Sequence, residues 1–283
     1  SLGALINQIQ PTSIYIVFDG VGASTNRRYL LPEYKTGRNL NRITNWDIFE
    51  DIGDENDAKV EQIIRIIQYL KCLPVKVVSI DKVEADDIIA YMSKDMAKRF
   101  NTKSYIVSSD RDFLQLVDDN ITVYRPIERE FYDPRTVKEK FGIVPENFIH
   151  YKVLLGDASD KVPGIKGLGK KGVLKRFPEL ADGPMPFDRL FDLSEERLKD
   201  SVVYARVIQD WDKLQNTRKI MDLEIPMVSE EEKEYLSQLP LEQLNELRIL
   251  EFMSLYTEDG LNHIIKNTEF WLKDTFTRLC YDT

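Results

Sequence analysis

The sequence predicts an α/β protein in which a parallel sheet covered by helices is followed by a mostly helical lobe, and three observations lead there. Four short β-branched and aromatic runs recur in the first half, at Ser13 to Phe18, Val75 to Ile80, Ser104 to Val107 and Ile121 to Tyr124. Helical spacing lies between them, and strand-helix alternation is the pattern of a parallel sheet with covered faces. After Thr136 the periodicity is helical almost throughout.

Ser1 to Gln10 carries Leu2, Leu5, Ile6 and Ile9 at helical spacing, and Pro11 stops it. The first strand, SIYIVF, ends at Asp19-Gly20. A polar, irregular insert runs from Val21 to about Asp57. An amphipathic helix follows from about Lys59 to Leu70, with Ile63, Ile66, Ile67 and Leu70 on one side. The second strand, VKVVSI, leads into VEADDIIAY. If a helix begins near Glu84, then Glu84 and Asp87 share a face at i, i+3, with Asp86 one step aside and Ile88, Ile89 and Tyr91 left to pack inward. The third strand runs straight into SSDRD. In the helical lobe Phe148, Tyr151, Leu154 and Leu155 fall on one face, and two helices flank the glycine-rich Val162 to Gly172. Amphipathic segments are expected at about Glu195 to Leu214 and Leu241 to Tyr256, and Glu230 to Glu234 reads as a solvated helix start.

The chain has 283 residues, 42% of them hydrophobic, enough for one large or two smaller cores. A net charge of -9 argues at first against a nucleic-acid partner. Screening beyond roughly 8 to 10 Å, however, lets a local basic patch grip phosphate on an acidic protein. Cys72 and Cys280 match no paired framework, His150 and His263 form no ligand cluster, and no run reaches a membrane span. A monomer in a reducing cytoplasm is the expectation.

The acids carry the chemistry. Asp19; Glu84, Asp86, Asp87; Asp110, Asp112; and Asp157, Asp160 stand at element ends in four separate sets. A single such set is an acidic helix start or a turn. Eight carboxylates repel one another and suit two hard divalent ions, which phosphodiester hydrolysis by two metals requires. Gly167-x-Gly169-x-x-Gly172 spells a dinucleotide fingerprint, but a helical segment and Pro163 precede it where a strand is needed. It reads instead as a hairpin whose backbone N–H groups approach phosphate, with Lys166, Lys170, Lys171, Lys175 and Arg176 adding electrostatic attraction. Arg27, Arg28, Lys35 and Arg38 interleave with Tyr29 and Tyr34 in the insert, a composition suited to a single strand. Trp46 and Phe49 are expected to pack against the body.

VFDG, LPEYKTGR, VEADDIIAY, SSDRDFLQL and LLGDASDKVPGIKGLGKKG, in this order from about Ile14 to Pro226, resemble the flap endonuclease and 5′ to 3′ exonuclease family, which includes bacteriophage enzymes and the 5′-nuclease domain of bacterial DNA polymerase I. The resemblance implies a PIN-like α/β core over residues 1–135 with a helical arch insert at 21–57, and over 136–283 a lobe with a helix-three-turn-helix element and C-terminal helices. It implies Mg²⁺ at two positions, with Mn²⁺ able to substitute: Asp19, Glu84 and Asp86 at one, Asp110, Asp112, Asp157 and Asp160 at the other, and Asp87 as a direct or water-mediated ligand. Lys35 and Arg38 are implied to meet the scissile phosphate or the 5′ strand, with Arg27, Arg28 and Tyr34 beside them. The hairpin, with Lys166, Gly167, Gly169, Lys170 and Lys171, is implied to grip duplex, with K⁺ bridging carbonyls and phosphate. The expected substrates are 5′ flaps, nicked duplexes and RNA-primed ends, cut in replication or repair alongside replication proteins. The alternative is a PIN-like scaffold that binds branched nucleic acid without cutting; it would have broken acids. A phosphatase using the VFDG acid would want a second Asp where Val21 stands. Family members open with a strand whose Asp-Gly turn supplies a further metal ligand, and this sequence starts inside the following helix. The expectation is therefore that a few tens of residues precede Ser1 and pair a strand beside Ile14 to Phe18.

Overall fold

The computed structural model describes residues 2–37, 45 and 47–280. In chain order the elements are α1 (Leu2–Ile9), β1 (Tyr15–Val17), α2 (Thr25–Leu30), α3 (Ile52–Lys71), β2 (Lys76–Val78), α4 (Ala85–Phe100), β3 (Ser104–Val107), β4 (Ile121–Arg125) and β5 (Glu130–Tyr132). Then come α5 (Pro134–Phe141), α6 (Phe148–Leu155), β6 (Gly156–Asp157), β7 (Val162–Pro163), α7 (Lys170–Arg176), α8 (Arg189–Glu196) and α9 (Val202–Gln209). The last are α10 (Trp211–Met221), α11 (Glu230–Gln238), α12 (Ile249–Glu258) and α13 (Thr268–Phe276). The fold is mixed α/β, as the strand-helix alternation predicts.

The chain forms two compact units. The first takes in Ser1–Phe18, Leu40–Ser79 and Leu239–Thr283. Its β1 and β2 pair in parallel, Tyr15 opposite Lys76 and Val17 opposite Val78. Its core gathers Ile6, Leu70, Leu73, Val75, Phe252, Tyr256, Leu272 and Phe276. The Lys76 side chain is buried, and its ammonium donates to the carbonyls of Leu239 and Glu242, so a charge in a short strand finds partners on a distant segment. Helix α3 starts earlier than its apolar spacing indicates because Asp51 caps it, accepting from the Asp54 N–H at 2.9 Å. Ile63 and Ile66 stay half exposed on it, and only Leu70 of the expected stripe is buried.

The second unit takes in Asp19–Asn39 and Ile80–Gln238. Here β3 and β4 pair in parallel, and β5 adds an antiparallel edge that the sequence reading did not anticipate, Val123 opposite Tyr132. The expected division at residue 135 lies inside this unit. Helix α6 runs through its core, with Phe148, Ile149, His150, Tyr151, Val153 and Leu154 all buried. The spacing predicts one amphipathic face there; burial instead extends around most of the helix, with Lys152 and Leu155 partly buried. The expected segment from Glu195 to Leu214 is broken because Ser201 caps α9, accepting from the Val203 N–H, and a new helix begins at Trp211. Helix α2 lies inside the insert that read as irregular.

Candidate active site

Every residue of the site lies in the second unit. Asp19 follows β1 in sequence, and its Oδ1 accepts from the Ala85 N–H at 2.8 Å, capping the start of α4. Gly20 is obligatory beside it, since a Cβ there would stand 1.7 Å from the Ile80 carbonyl oxygen. Asp86 and Asp87 occupy the first turn of α4, where carboxylates complement the helix dipole, and Glu84 is its N-cap residue.

The three acids of VEADD part company. Glu84, 2% exposed, accepts from Ser24 Oγ at 3.0 Å, Tyr34 Oη at 3.1 Å and Lys35 Nζ at 2.7 Å, with Arg27 Nη1 at 2.6 Å. Burial pushes its pKa up, but the charges of Arg27 and Lys35 outweigh this and hold the carboxyl below its ordinary value. Asp87 takes both Arg27 terminal nitrogens, at 2.5 and 3.0 Å, and the Met227 N–H at 2.9 Å. Arg27 Nε donates to the Ile220 carbonyl, completing a buried guanidinium. Asp86 turns toward a cavity it shares with Asp110, Asp112 and Asp160, beside Arg27 and Tyr34. Burial and then the Asp110 charge raise its pKa to about 7.

Beyond β3, Asp110 Oδ1 accepts from the Asp112 N–H at 2.8 Å, a turn that the spacing SSDRD folds into. Lys152, on α6, sends its ammonium to Asp112 at 2.6 Å and Asp157 at 2.9 Å. Burial raises the Asp112 pKa, opposed by Lys152. In Asp157 burial also works upward, but bonds from Ser159 and Lys152 hold the carboxyl below its ordinary range. Sequence reasoning missed Lys152; its signal is a lone Lys within the apolar run FIHYKVLL.

The arrangement differs from the expected one for three residues. Arg27 and Tyr34, expected to face nucleic acid, are 4% and 5% exposed and turn inward to the acids. Asp87, expected near metal, is taken up by Arg27. Arg28 stays exposed, its Nε donating to the Tyr34 carbonyl, and Tyr29 is 83% exposed. Arg38 and Trp46 lie outside the described residues. In the hairpin, Ile165 and Leu168 are buried anchors while Lys166, Gly167, Gly169, Lys170 and Lys171 face solvent. Arg206 Nη1 donates to the Lys166 carbonyl at 2.7 Å and ties the hairpin to α9.

Donors around the cavity are carboxylate oxygens, which suit a hard divalent cation. The Asp110 charge acting on Asp86 and the Lys152 ammonium between two carboxylates both mark a place where positive charge is favoured. Lys152 occupies an oxygen of Asp112, Lys35 and Lys152 pair with the neighbouring Glu84 and Asp157, and among the described residues no three carboxylate, imidazole or thiol groups stand close enough together to hold an ion. No helix among the described residues is long and apolar enough to cross a membrane.

A family model described as 5′-3′ exonuclease, N-terminal resolvase-like domain, matches residues 1–142. The chain is 31% identical over 207 residues to DNA polymerase I of Lactococcus lactis subsp. cremoris (strain MG1363), covering 71% of this chain and 22% of that protein. It is 33% identical over 180 residues to a 5′-3′ exonuclease of Aquifex aeolicus (strain VF5), covering 62% of this chain and 56% of that one. The chain thus spans about a fifth of the polymerase and little more than half of the exonuclease. In three dimensions it resembles bacteriophage T5 5′-exonuclease with bound zinc ions, at TM-score 0.68 and 19% identity over 85% of this chain and 87% of that one. A T5 flap endonuclease complex with DNA and metal ions matches at TM-score 0.67, also at 19% identity, over 84% of this chain and 86% of that one. At such identity the likeness establishes the fold.

Proposed function

Since the chain belongs to the 5′-3′ exonuclease family by its N-terminal resolvase-like domain, we propose that it is a divalent-metal-dependent 5′ nuclease, hydrolysing phosphodiesters of 5′ flaps, nicked duplexes and RNA-primed ends. One observation carries this reading: Asp86, Asp110, Asp112 and Asp160 meet around one cavity, although the Asp110 charge works against both Asp86 and Asp112 there. Natural folds keep such strain where a ligand relieves it.

Asp19, Glu84 and Asp86 would hold one Mg²⁺, with Mn²⁺ as substitute, and Asp110, Asp112, Asp157 and Asp160 the other, each set drawing closer together than the described residues place it. Bound there, the ions supply a water of lowered pKa and neutralise charge on the phosphodiester. The protein's own groups prepare the site. Arg27 fixes Glu84 through its guanidinium and is itself anchored by Asp87. Tyr34 Oη orients the same Glu84 carboxylate. Lys35, whose ammonium the Glu84 carboxylate holds at 2.7 Å, is the cation offered to the scissile phosphate. Arg28 and Arg38 serve the 5′ strand. The hairpin, through the open backbone at Gly167 and Gly169 and the charges of Lys166, Lys170 and Lys171, serves the duplex backbone; its carbonyls would hold a K⁺ ion, which would add positive charge for the phosphate. The polymerase and exonuclease relatives support a place in replication or repair on branched or primed DNA.

A 5′-labelled flap substrate with Mg²⁺ tests the proposal by resolving product lengths. Asp110→Asn or Asp157→Asn is expected to lower the single-turnover rate by at least about a hundredfold while leaving flap binding within about threefold. Full activity in excess chelator, or near wild-type rates from both variants, would overturn it.

A further inference from the structure

Two turns from distant parts of the second unit face each other, each held in a conformation its sequence does not favour. Lys35 and Lys161 both have left-handed backbones, at φ +52° and +59°. Neither is Gly, Asn or Asp, so each is a strained conformation that its surroundings must impose. Two hydrogen bonds stitch the turns together: the Lys35 N–H donates to the Asp160 carbonyl at 3.0 Å, and Lys161 Nζ donates to Thr36 Oγ1 at 2.9 Å. The Thr36 hydroxyl uses both its capacities, since it also donates to the Glu33 carbonyl at 2.7 Å and so closes its own turn. On the far side, the Asp157 carboxylate accepts from the N–H groups of Ser159 and Asp160 and shapes the turn that ends at Lys161.

Each half of this contact adjoins a group of the proposed site. Lys35 sends its ammonium to Glu84, and the 157–161 turn carries Asp157 and Asp160. We infer that Lys161 is a positioning residue: through Thr36 it latches the Glu33 to Gly37 turn onto the Asp157 to Lys161 turn, and so fixes the Lys35 ammonium beside Glu84. Removing one of the two stitches lets Lys35 relax toward negative φ, which swings its Cα–Cβ vector and carries Nζ away from the carboxylate. The inference rests on the nuclease reading for its kinetic consequence but not for its structural one. The rival explanation for an exposed Lys in this place is a direct phosphate contact, which would change binding and its salt dependence instead.

Lys161→Ala and Thr36→Val should each make the Lys35 amide exchange with solvent at least about tenfold faster, read by NMR, while Thr36→Ser, which keeps the hydroxyl, leaves it protected. On a flap substrate at saturation, Lys161→Ala and Thr36→Val should lower the single-turnover rate on the order of tenfold with dissociation constant and salt slope unchanged. Neither should lower it further in a Lys35→Ala background. Unaltered Lys35 exchange in both variants overturns the latch. So does a Lys161→Ala effect confined to binding and salt slope. A wild-type protein that cuts no substrate would instead overturn the nuclease reading, and the exchange measurement would decide the latch alone.

Discussion

Arg27 shows what a buried charge does for its neighbours. With 4% of its surface exposed it faces Glu84, Asp87 and the Ile220 carbonyl at once, and all three of its nitrogens have partners. Arg27→Ala strands two buried carboxylates, and urea unfolding should report a loss of about 3–5 kcal/mol. Arg27→Lys keeps the charge but forfeits the fork, and an intermediate loss is expected. A loss below about 1 kcal/mol for Arg27→Ala would mean that the carboxylates find other partners. At this scale the sequence was half legible. The acids of VEADD, SSDRD and GDASD declared themselves because polar groups interrupt apolar runs at element ends. Arg27 and Tyr34 misled because their partners lie at the start of α4, 50 to 60 residues away, and nothing local distinguishes a side chain aimed at nucleic acid from one aimed at a carboxylate. Lys152 stayed hidden for the same reason, its partners Asp112 and Asp157 being supplied by two different turns.

Among the elements, the hairpin between α6 and α7 separates stability from binding. Ile165 and Leu168 hold it to the core, whereas a Cβ on Gly169 would meet nothing within 4 Å. Gly169→Val should therefore fold, losing at most the ~1 kcal/mol of a poorer helix cap, yet weaken duplex binding about tenfold by filling the space a phosphate would approach. Lys170→Glu should lower the slope of log K against log salt by about one or more. Fluorescence anisotropy on a blunt duplex measures both, and normal binding by Gly169→Val would remove the hairpin from the interface. The longer strands and α4 could be read from β-branched runs and helical spacing. The β6–β7 ladder could not, for it is two residues long and exists because backbones nearly touch: a Cβ on Gly156 would lie 2.3 Å from the Gly164 nitrogen. Helix α2 was equally opaque, being six residues long with a single buried side chain, too short for a period to show.

For the molecule as a whole, the carboxylates oppose one another as pH changes. The Asp86 pKa is 3.8 in its ordinary state and about 7 in the fold, so the fold binds a proton the unfolded chain has released. Stability from this group is lost as pH rises between those values, and the cost is complete above about pH 7. Glu84 and Asp157, with lowered values, act in the opposite sense: their contribution is present above the ordinary carboxylate range and fades as pH falls below it. Between pH 5 and 8 the thermal midpoint without metal should accordingly decline, Asp86→Asn should flatten that decline, and Mn²⁺ should raise the midpoint most at the alkaline end. A midpoint indifferent to Mn²⁺ at pH 8 would count against the cavity as an ion site. Linear reading also could not reveal how the units are assembled, because pairing between segments far apart in sequence leaves no local trace. That assembly bears on how the protein is made. The first unit needs Leu239–Thr283 to enclose the core of Ser1–Phe18 and Leu40–Ser79, and Lys76 finds its carbonyls only there. On the ribosome β1 and β2 must wait on the order of ten seconds for those residues at ordinary elongation rates, while the interrupting segment is already able to collapse on itself. Synthesis therefore delivers Ile80–Gln238 before the segments of the first unit can meet, and the apolar side of β1 and β2 stays uncovered until they do.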